Sequence, residues 1–338
     1  MKQFSTLKEI ARKLGVSVST VSRALSDSYE ISESQKERIR AYVKEINYQP
    51  NPHAKSLRSN QSKTIGVLIP DISNYFFTLA LQGIETIVHE KGYNLMIYQT
   101  HDDHLIEEKT FSYLENGVVD GVLSAVSSNK EGSIEHVKRL NSLIPIVFFD
   151  RHLKQMTVPF VSCNDYESGL HATKHLLERG CRNIVFIGID ESISVTADRL
   201  DGYCAALNQM NISVKESNIL LCKTQEEAYE QILQRLKQRD KADAFFSSVE
   251  RYTVQLYRAC EELKLKIPAD LKVISFSNNP LASFMNPPLS TITQPAFEIG
   301  KSAAALLLEM LKKKKPGAPK DLVIPCTFHY TVSSLGNK

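Results

Sequence analysis

SVSTVSR, residues 17–23, places four small hydroxyl side chains and one arginine in seven positions. Hydroxyls bond phosphate oxygens, and a guanidinium can grip two acceptors of a guanine edge at once. The chemistry on offer is non-covalent recognition of nucleic acid. Other clusters offer less. His101-Asp102-Asp103-His104 sets four metal-ligand types in a row, but neighbours in a loop rarely converge on one ion. His171 and His175 have the spacing of a helical zinc pair, without a third ligand in view. Lys312–Lys315 reads as a solvated helix end, where positive charge suits the helix dipole. No metal and no cofactor is expected. None of the fourteen glycines forms G-x-G, and neither GxxxxGK[ST] nor GxSxG occurs. Glycine loops for nucleotides and the hydrolase nucleophile turn are therefore missing, and no catalytic residue is expected. The six cysteines contain no CxxC pair, which points to reduced core thiols.

A recognition face needs a rigid carrier. Thr6-Leu7-Lys8-Glu9 has the form of a capping box, followed by Ile10, Ala11 and Leu14 at helical spacing and by Gly15 as a stop. Ser17 can cap a second helix carrying Val18, Val21, Ala24 and Leu25. Ser32-Glu33-Ser34-Gln35 predicts a second capping box, and Ile39, Val43 and Ile46 stripe a third helix that stops before Pro50. Two short helices joined at Gly15-Val16-Ser17, with a third behind them, make a helix-turn-helix head. Charge agrees. Residues 1–62 hold eleven Lys/Arg against six Asp/Glu, +5, and the remainder thirty against thirty-two, −2. A basic head on a slightly acidic body suits a polyanion.

Residues 51–62 are mostly polar and hold one large apolar residue, Leu57, which sits beside Arg58. A lone leucine without an evident intramolecular partner has the character of the wedges that minor-groove binders push between base steps. From Lys63 onward strands and helices alternate. Strands are predicted at 65–69, 94–98, 121–124, 146–149 and 160–162, then at 184–187, 219–222, 244–246 and 273–276, with a late strand at 322–324. Helices are predicted at 77–90, 107–116, 136–141, 167–178, 200–210, 227–238 and 254–263. Such alternation predicts parallel sheets covered by helices. Two series predict two lobes, with a ligand cleft beyond the carboxyl ends of the strands. The fold expected is a small all-α head on an α/β two-lobed body. Its divisions are 1–50 for the head, 51–62 for a hinge and 63–338 for the effector-binding and dimerisation body.

LKEIARKLGVSVSTVSRALS, INYQPNPHAKSLR, TIGVLIP, LLERGCRNIVFIG and PPLSTITQP together resemble the lactose-repressor (LacI) and purine-repressor family of bacterial transcription factors. The resemblance covers nearly the whole chain. It implies a periplasmic-binding-protein-like body and a homodimer on near-palindromic operator DNA. It also implies an allosteric small-molecule effector, sugar-like or nucleobase-like, held between the lobes. By that resemblance Val18, Ser19 and Arg23 face bases, while Ser17, Thr20 and Ser22 suit phosphates, as does the helix start at Thr6. Asn51 opens a hinge helix whose wedge is Leu57, with Arg58 in the minor groove. The matching effector positions are Tyr75, Phe76, Asp150, Arg199, Val249 and Ser277. Two of them depart from the family: Ser277 stands at an acidic position of the turn, and Val249-Glu250 stands where sugar binders have Asn-Asp. Both changes are expected to remove ligand hydrogen-bond partners, with Arg251 as a weak candidate for an added cation.

The function expected is a sequence-specific, effector-controlled repressor. A regulator answering to a protein partner, or a transport-type solute-binding protein of the same fold, would share the body. The N-terminus is charged and has no apolar signal core, so a cytoplasmic, nucleoid-associated protein without a membrane span is expected. Little chain follows 322–324, and it lacks leucine heptads, which favours a dimer over a coiled-coil tetramer.

Overall fold

The structure is a computed structural model that describes residues 6–48, 61–127, 131–312 and 321–335, with backbone alone at 131–133. The chain forms two compact units, 1–62 and 63–338.

Three helices make the first unit: α1 (Leu7–Leu14), α2 (Val18–Leu25) and α3 (Glu33–Glu45). The capping box at Thr6 forms, with Thr6 N–H donating to Glu9 Oε2 at 2.8 Å and Glu9 N–H to Thr6 Oγ1 at 3.3 Å. Gly15 closes α1 in the left-handed region, φ 68°, a conformation that glycine adopts without steric penalty. Ser17 caps α2 by accepting from Thr20 N–H at 3.0 Å. The box predicted at Ser32 is not formed. Ser32 precedes α3 in extended backbone, but its hydroxyl makes no cap bond and lies 3.4 Å from Ser34 Oγ. Ile10, Ala11, Val21, Ala24 and Ile39 form the small core, with Leu14, Leu25, Val43 and Ile46 around it.

The second unit holds two six-stranded sheets. The first contains β1 (Thr64–Ile69), β2 (Asn94–Gln99), β3 (Gly121–Ser124), β4 (Ile146–Phe149), β5 (Phe160–Cys163) and β11 (Leu322–Ile324), in the order β11-β5-β4-β3-β1-β2. The second contains β6 (Ile184–Gly188), β7 (Ile219–Leu221), β8 (Ala244–Ser247), β9 (Lys272–Phe276), β10 (Ser290–Thr293) and β12 (Thr327–His329), in the order β12-β10-β9-β8-β6-β7. All neighbours pair in parallel except β10 and β12. The fully buried apolar runs at Ile65–Ile69, Ile146–Phe149 and Ile184–Ile187 are what a sheet covered on both faces requires. The helices are α4 (Tyr75–Glu90), α5 (His104–Leu114), α6 (Glu131–Asn141), α7 (Asp165–Glu178), α8 (Ser194–Gln209), α9 (Gln225–Leu236), α10 (Glu250–Glu262), α11 (Ala296–Lys312) and the short α12 (Val332–Leu335).

β10, β12, α11 and the short α12 are additions to the elements expected from sequence. β10 reads Ser-Thr-Ile-Thr, and its hydroxyls are absorbed by bonds such as Ser290 Oγ with Thr331 Oγ1 at 3.2 Å. A buried strand so rich in hydroxyls has no apolar run to announce it. The chain passes between the sheets three times, at 163–165, 293–296 and 324–327. These crossings are bonded together. Asn164 Oδ1 accepts from Cys326 N–H at 2.8 Å, and Gln294 Nε2 lies 3.4 Å from Cys163 Sγ. Among the described residues no helix is long and apolar enough to cross a membrane.

Candidate functional site

The head presents α2 as expected of a reading helix. Val21 and Ala24 turn inward, while Val18, Ser19 and Arg23 are exposed; Ser19 and Arg23, four residues apart, share one helical face. Ser17, Ser19 and Thr20 share their hydroxyls at 2.7 and 2.8 Å. Thr6 is engaged by its own cap, and Ser22 is half-buried. Arg23 is not loose on the surface: its Nη1 lies 2.8 Å from Glu30 Oε2. Asn51, Leu57 and Arg58 fall outside the described residues.

In the body a cavity of about 50 Å³ opens between the lobes. That admits a few waters and is well short of the ~300 Å³ at which ligand pockets begin, so a ligand enters only if the lobes part. Phe76, Asp150, Arg199, Val249 and Ser277 line it. Tyr75 does not; the turn before α4 contributes Asn74, and α4 itself adds Phe77.

Asp150 follows β4 in the left-handed region, φ 61°, a backbone state uncommon outside glycine and found at functional sites. Its Oδ1 accepts from Gln294 Nε2 at 3.0 Å, and Oδ2 lies 4.0 Å from Arg151 Nε. Burial raises its pKa, while Arg199, Arg151 and Gln294 pull the other way. Arg151 in turn pairs with Asp102.

Arg199 is placed by close helix packing. A Cβ on Gly169 of α7 would stand 2.4 Å from the Arg199 carbonyl of α8, and one on Gly202 would stand 2.3 Å from the Tyr166 carbonyl. Only glycines let these backbones meet, and the meeting puts Arg199 Nε 2.6 Å from Asp165 Oδ1. Arg199 Nη1 donates to the Ser248 carbonyl at 2.7 Å, and the guanidinium lies 3.5 Å over the Phe276 ring. Burial pushes Asp165 up to about 6 against the opposing pull of Arg199.

The expectation that Ser277 and Val249 leave the second lobe short of ligand partners is corrected by Glu250. Val249 is the N-cap residue of α10, and Glu250 opens the helix on the cavity wall. Ser277 Oγ donates to Glu250 Oε2, and Asn279 Nδ2 to Oε1, both at 2.8 Å. A carboxylate is present after all, supplied by the helix start and gripped by the turn. Arg251 lies against the Tyr252 ring, 5.2 Å from its centroid, and is not among the lining residues.

Members of the histidine-containing clusters have structural partners, while residues 313–315 of the lysine run fall outside the described residues. Asp103 caps α5 by accepting from Leu105 N–H at 2.8 Å. His171 stacks on Phe328, and His175 on Tyr330. Sequence reasoning missed Gln294, Arg151 and Glu250. Gln294 lies within PPLSTITQP, so a signal for it was present; the other two needed the tertiary structure.

Residues 6–51 match the model for bacterial regulatory proteins of the lacI family, and residues 173–333 match a periplasmic binding protein-like domain. The transcriptional repressor PurR of Vibrio atlanticus is 31% identical over 314 residues, 92% of this chain and 93% of its own. The chain belongs to the lacI family of bacterial regulatory proteins. It is a DNA-binding transcriptional regulator, not an enzyme. A LacI-family regulator from Enterococcus faecium solved with bound ribose is 26% identical and covers 81% of this chain and 100% of its own, with a TM-score of 0.70. The lac repressor dimer bound to operator and an anti-inducer shares the fold, with a TM-score of 0.85 over 99% of this chain and 100% of its own, at 20% identity.

Proposed function

We propose that this lacI-family regulator is a homodimeric repressor that reads a near-palindromic operator with α2 and is controlled by a small effector between the lobes. The observation that carries the control is the sharing of parts. Gln294 sits on an interlobe crossing, donates to Asp150 in the cavity and reaches Cys163 on another crossing. A ligand that engages Asp150 therefore acts on the groups that set the lobe angle, and its unequal affinity for the two arrangements shifts their populations. The PurR relative is a repressor and the Enterococcus relative holds ribose, which supports both halves of the reading. The protein works in the cytoplasm, associated with the nucleoid.

Val18, Ser19 and Arg23 take the bases. Thr6, Ser17, Thr20 and Ser22 take phosphates, while Leu57 and Arg58 enter the minor groove from the segment opened by Asn51. The test is operator selection from random DNA with the full chain, followed by anisotropy titration. Arg23→Ala loses about 1–3 kcal/mol on the selected site and far less on scrambled DNA; Leu57→Ala shows the same asymmetry. Equal losses on both DNAs overturn the assigned roles.

A further inference from the structure

The charges around the cavity do not balance. Arg199 is bonded to Asp165, and Arg151 to Asp102. Asp150 accepts from Gln294 and feels the field of both arginines, but forms no hydrogen-bonded ion pair of its own: Arg151 Nε is 4.0 Å away. Glu250 accepts from Ser277 and Asn279, and among the described residues no Lys, Arg or His forms an ion pair with it. Four carboxylates thus stand against two guanidiniums, both already engaged.

Two further atoms ask for a ligand. Ser248 Oγ and Arg151 Nε are buried without a hydrogen-bond partner, in lining residues only 1% and 5% exposed. Buried polar atoms left unpaired are costly, and a site whose ligand completes them is the ordinary resolution. An anionic ligand would meet Asp150 and Glu250 at short range in a water-poor cleft, where like charges repel strongly. A ligand bearing a cation meets an attraction there. Its hydroxyls can accept from the Arg151 Nε–H and exchange a hydrogen bond with Ser248.

We infer that the effector is a small hydroxylated amine whose ammonium group is received by Asp150 from the first lobe and Glu250 from the second. The inference rests on the effector reading above and narrows it. Because one carboxylate comes from each lobe, the ammonium also bridges them, so the charge that gives affinity favours the closed arrangement. Glu250 is the specificity-determining residue. Ser277 and Asn279 act through it by holding its carboxylate toward the cavity.

The test uses the full chain and matched probe sets: a hexose, a pentose and a nucleoside, each in neutral, amino and phosphorylated form, at one ionic strength. Thermal shift ranks them, and calorimetry measures Kd. An amino member should bind at least tenfold tighter than its neutral parent, and its phosphorylated counterpart should not bind. Glu250→Gln should abolish that tenfold preference, read as the ratio of the neutral parent's Kd to the amino member's; Asp150→Asn serves as the second variant. Tighter binding of a neutral or phosphorylated member, or an amine preference that survives both substitutions, overturns the inference and leaves the effector reading standing. No response from any probe set overturns both.

Discussion

Removal of Arg199 is the most informative single perturbation of the body. Arg199→Met keeps the aliphatic bulk and deletes the guanidinium. It breaks the 2.6 Å pair with Asp165, the bond to the Ser248 carbonyl and the stack on Phe276. Both partners of the pair are buried, and stranding one member of a buried pair costs about 3–5 kcal/mol. Against a total stability of about 5–15 kcal/mol this is a large fraction. The loss depends on pH in a definite direction. Asp165 already sits at about 6 with its partner present, and without the cation it rises further. Below 6 it is protonated in both proteins, and the deficit falls to the lost carbonyl bond and ring stack, about 1–3 kcal/mol. Above 6 the wild type ionises against its partner while the variant stays protonated up to its higher pKa, so the deficit grows. Urea unfolding of the full chain, followed by circular dichroism at pH 5.5 and pH 7.5, measures this. Asp165→Asn on the Arg199→Met background should recover part of the loss at pH 7.5, with a coupling of about 2 kcal/mol. A deficit independent of pH, or single-variant losses that add to within about 0.5 kcal/mol, would refute the reasoning.

Glu107 is buried, accepts from Ser127 N–H at 2.6 Å and has Oε1 unpaired. Burial lifts its pKa from 4.5 to about 6, so the folded state favours its protonated form. Its contribution to stability is full below about 4.5 and lost as pH rises through 6. The stability of wild type relative to Glu107→Gln should therefore drop by about 2 kcal/mol between pH 4 and pH 7; a flat difference contradicts the assignment. Gly169→Ala forces a methyl against the Arg199 carbonyl and should lower stability by about 1–3 kcal/mol. A urea midpoint equal to wild type would show that α7 and α8 can part freely.

The sequence was most legible where one local pattern carries the structure. The Thr6 capping box and the Gly15 stop formed in place, and of the apolar residues expected along the second helix Val21 and Ala24 are buried. The same local logic failed at Ser32, whose hydroxyl sits beside Ser34 Oγ rather than in the cap. Apolar runs rich in β-branched residues, such as TIGVLI, marked buried strands. β10 escaped because its hydroxyls are taken up by tertiary partners, Ser290 by Thr331 and Thr293 by the Ser277 carbonyl. In the cleft, Asp150 and Arg199 were placed by resemblance, but what each does depends on partners distant in sequence. Glu250 shows this most clearly. Reading the chain position by position, Ser277 looked like the loss of a carboxylate. In three dimensions Ser277 and Asn279 hold the carboxylate of Glu250, 27 and 29 residues away.

The most direct test of the account is a titration of the operator selected from random DNA, with the full chain at fixed salt, without and with the best-binding probe from the matched sets at saturation. The expected result is a two-fold symmetric selected site, an affinity for it that the probe changes at least tenfold, and loss of that response in Glu250→Gln with DNA binding intact. A selected sequence without symmetry, or an operator affinity unmoved by a ligand that fills the cleft, would contradict it.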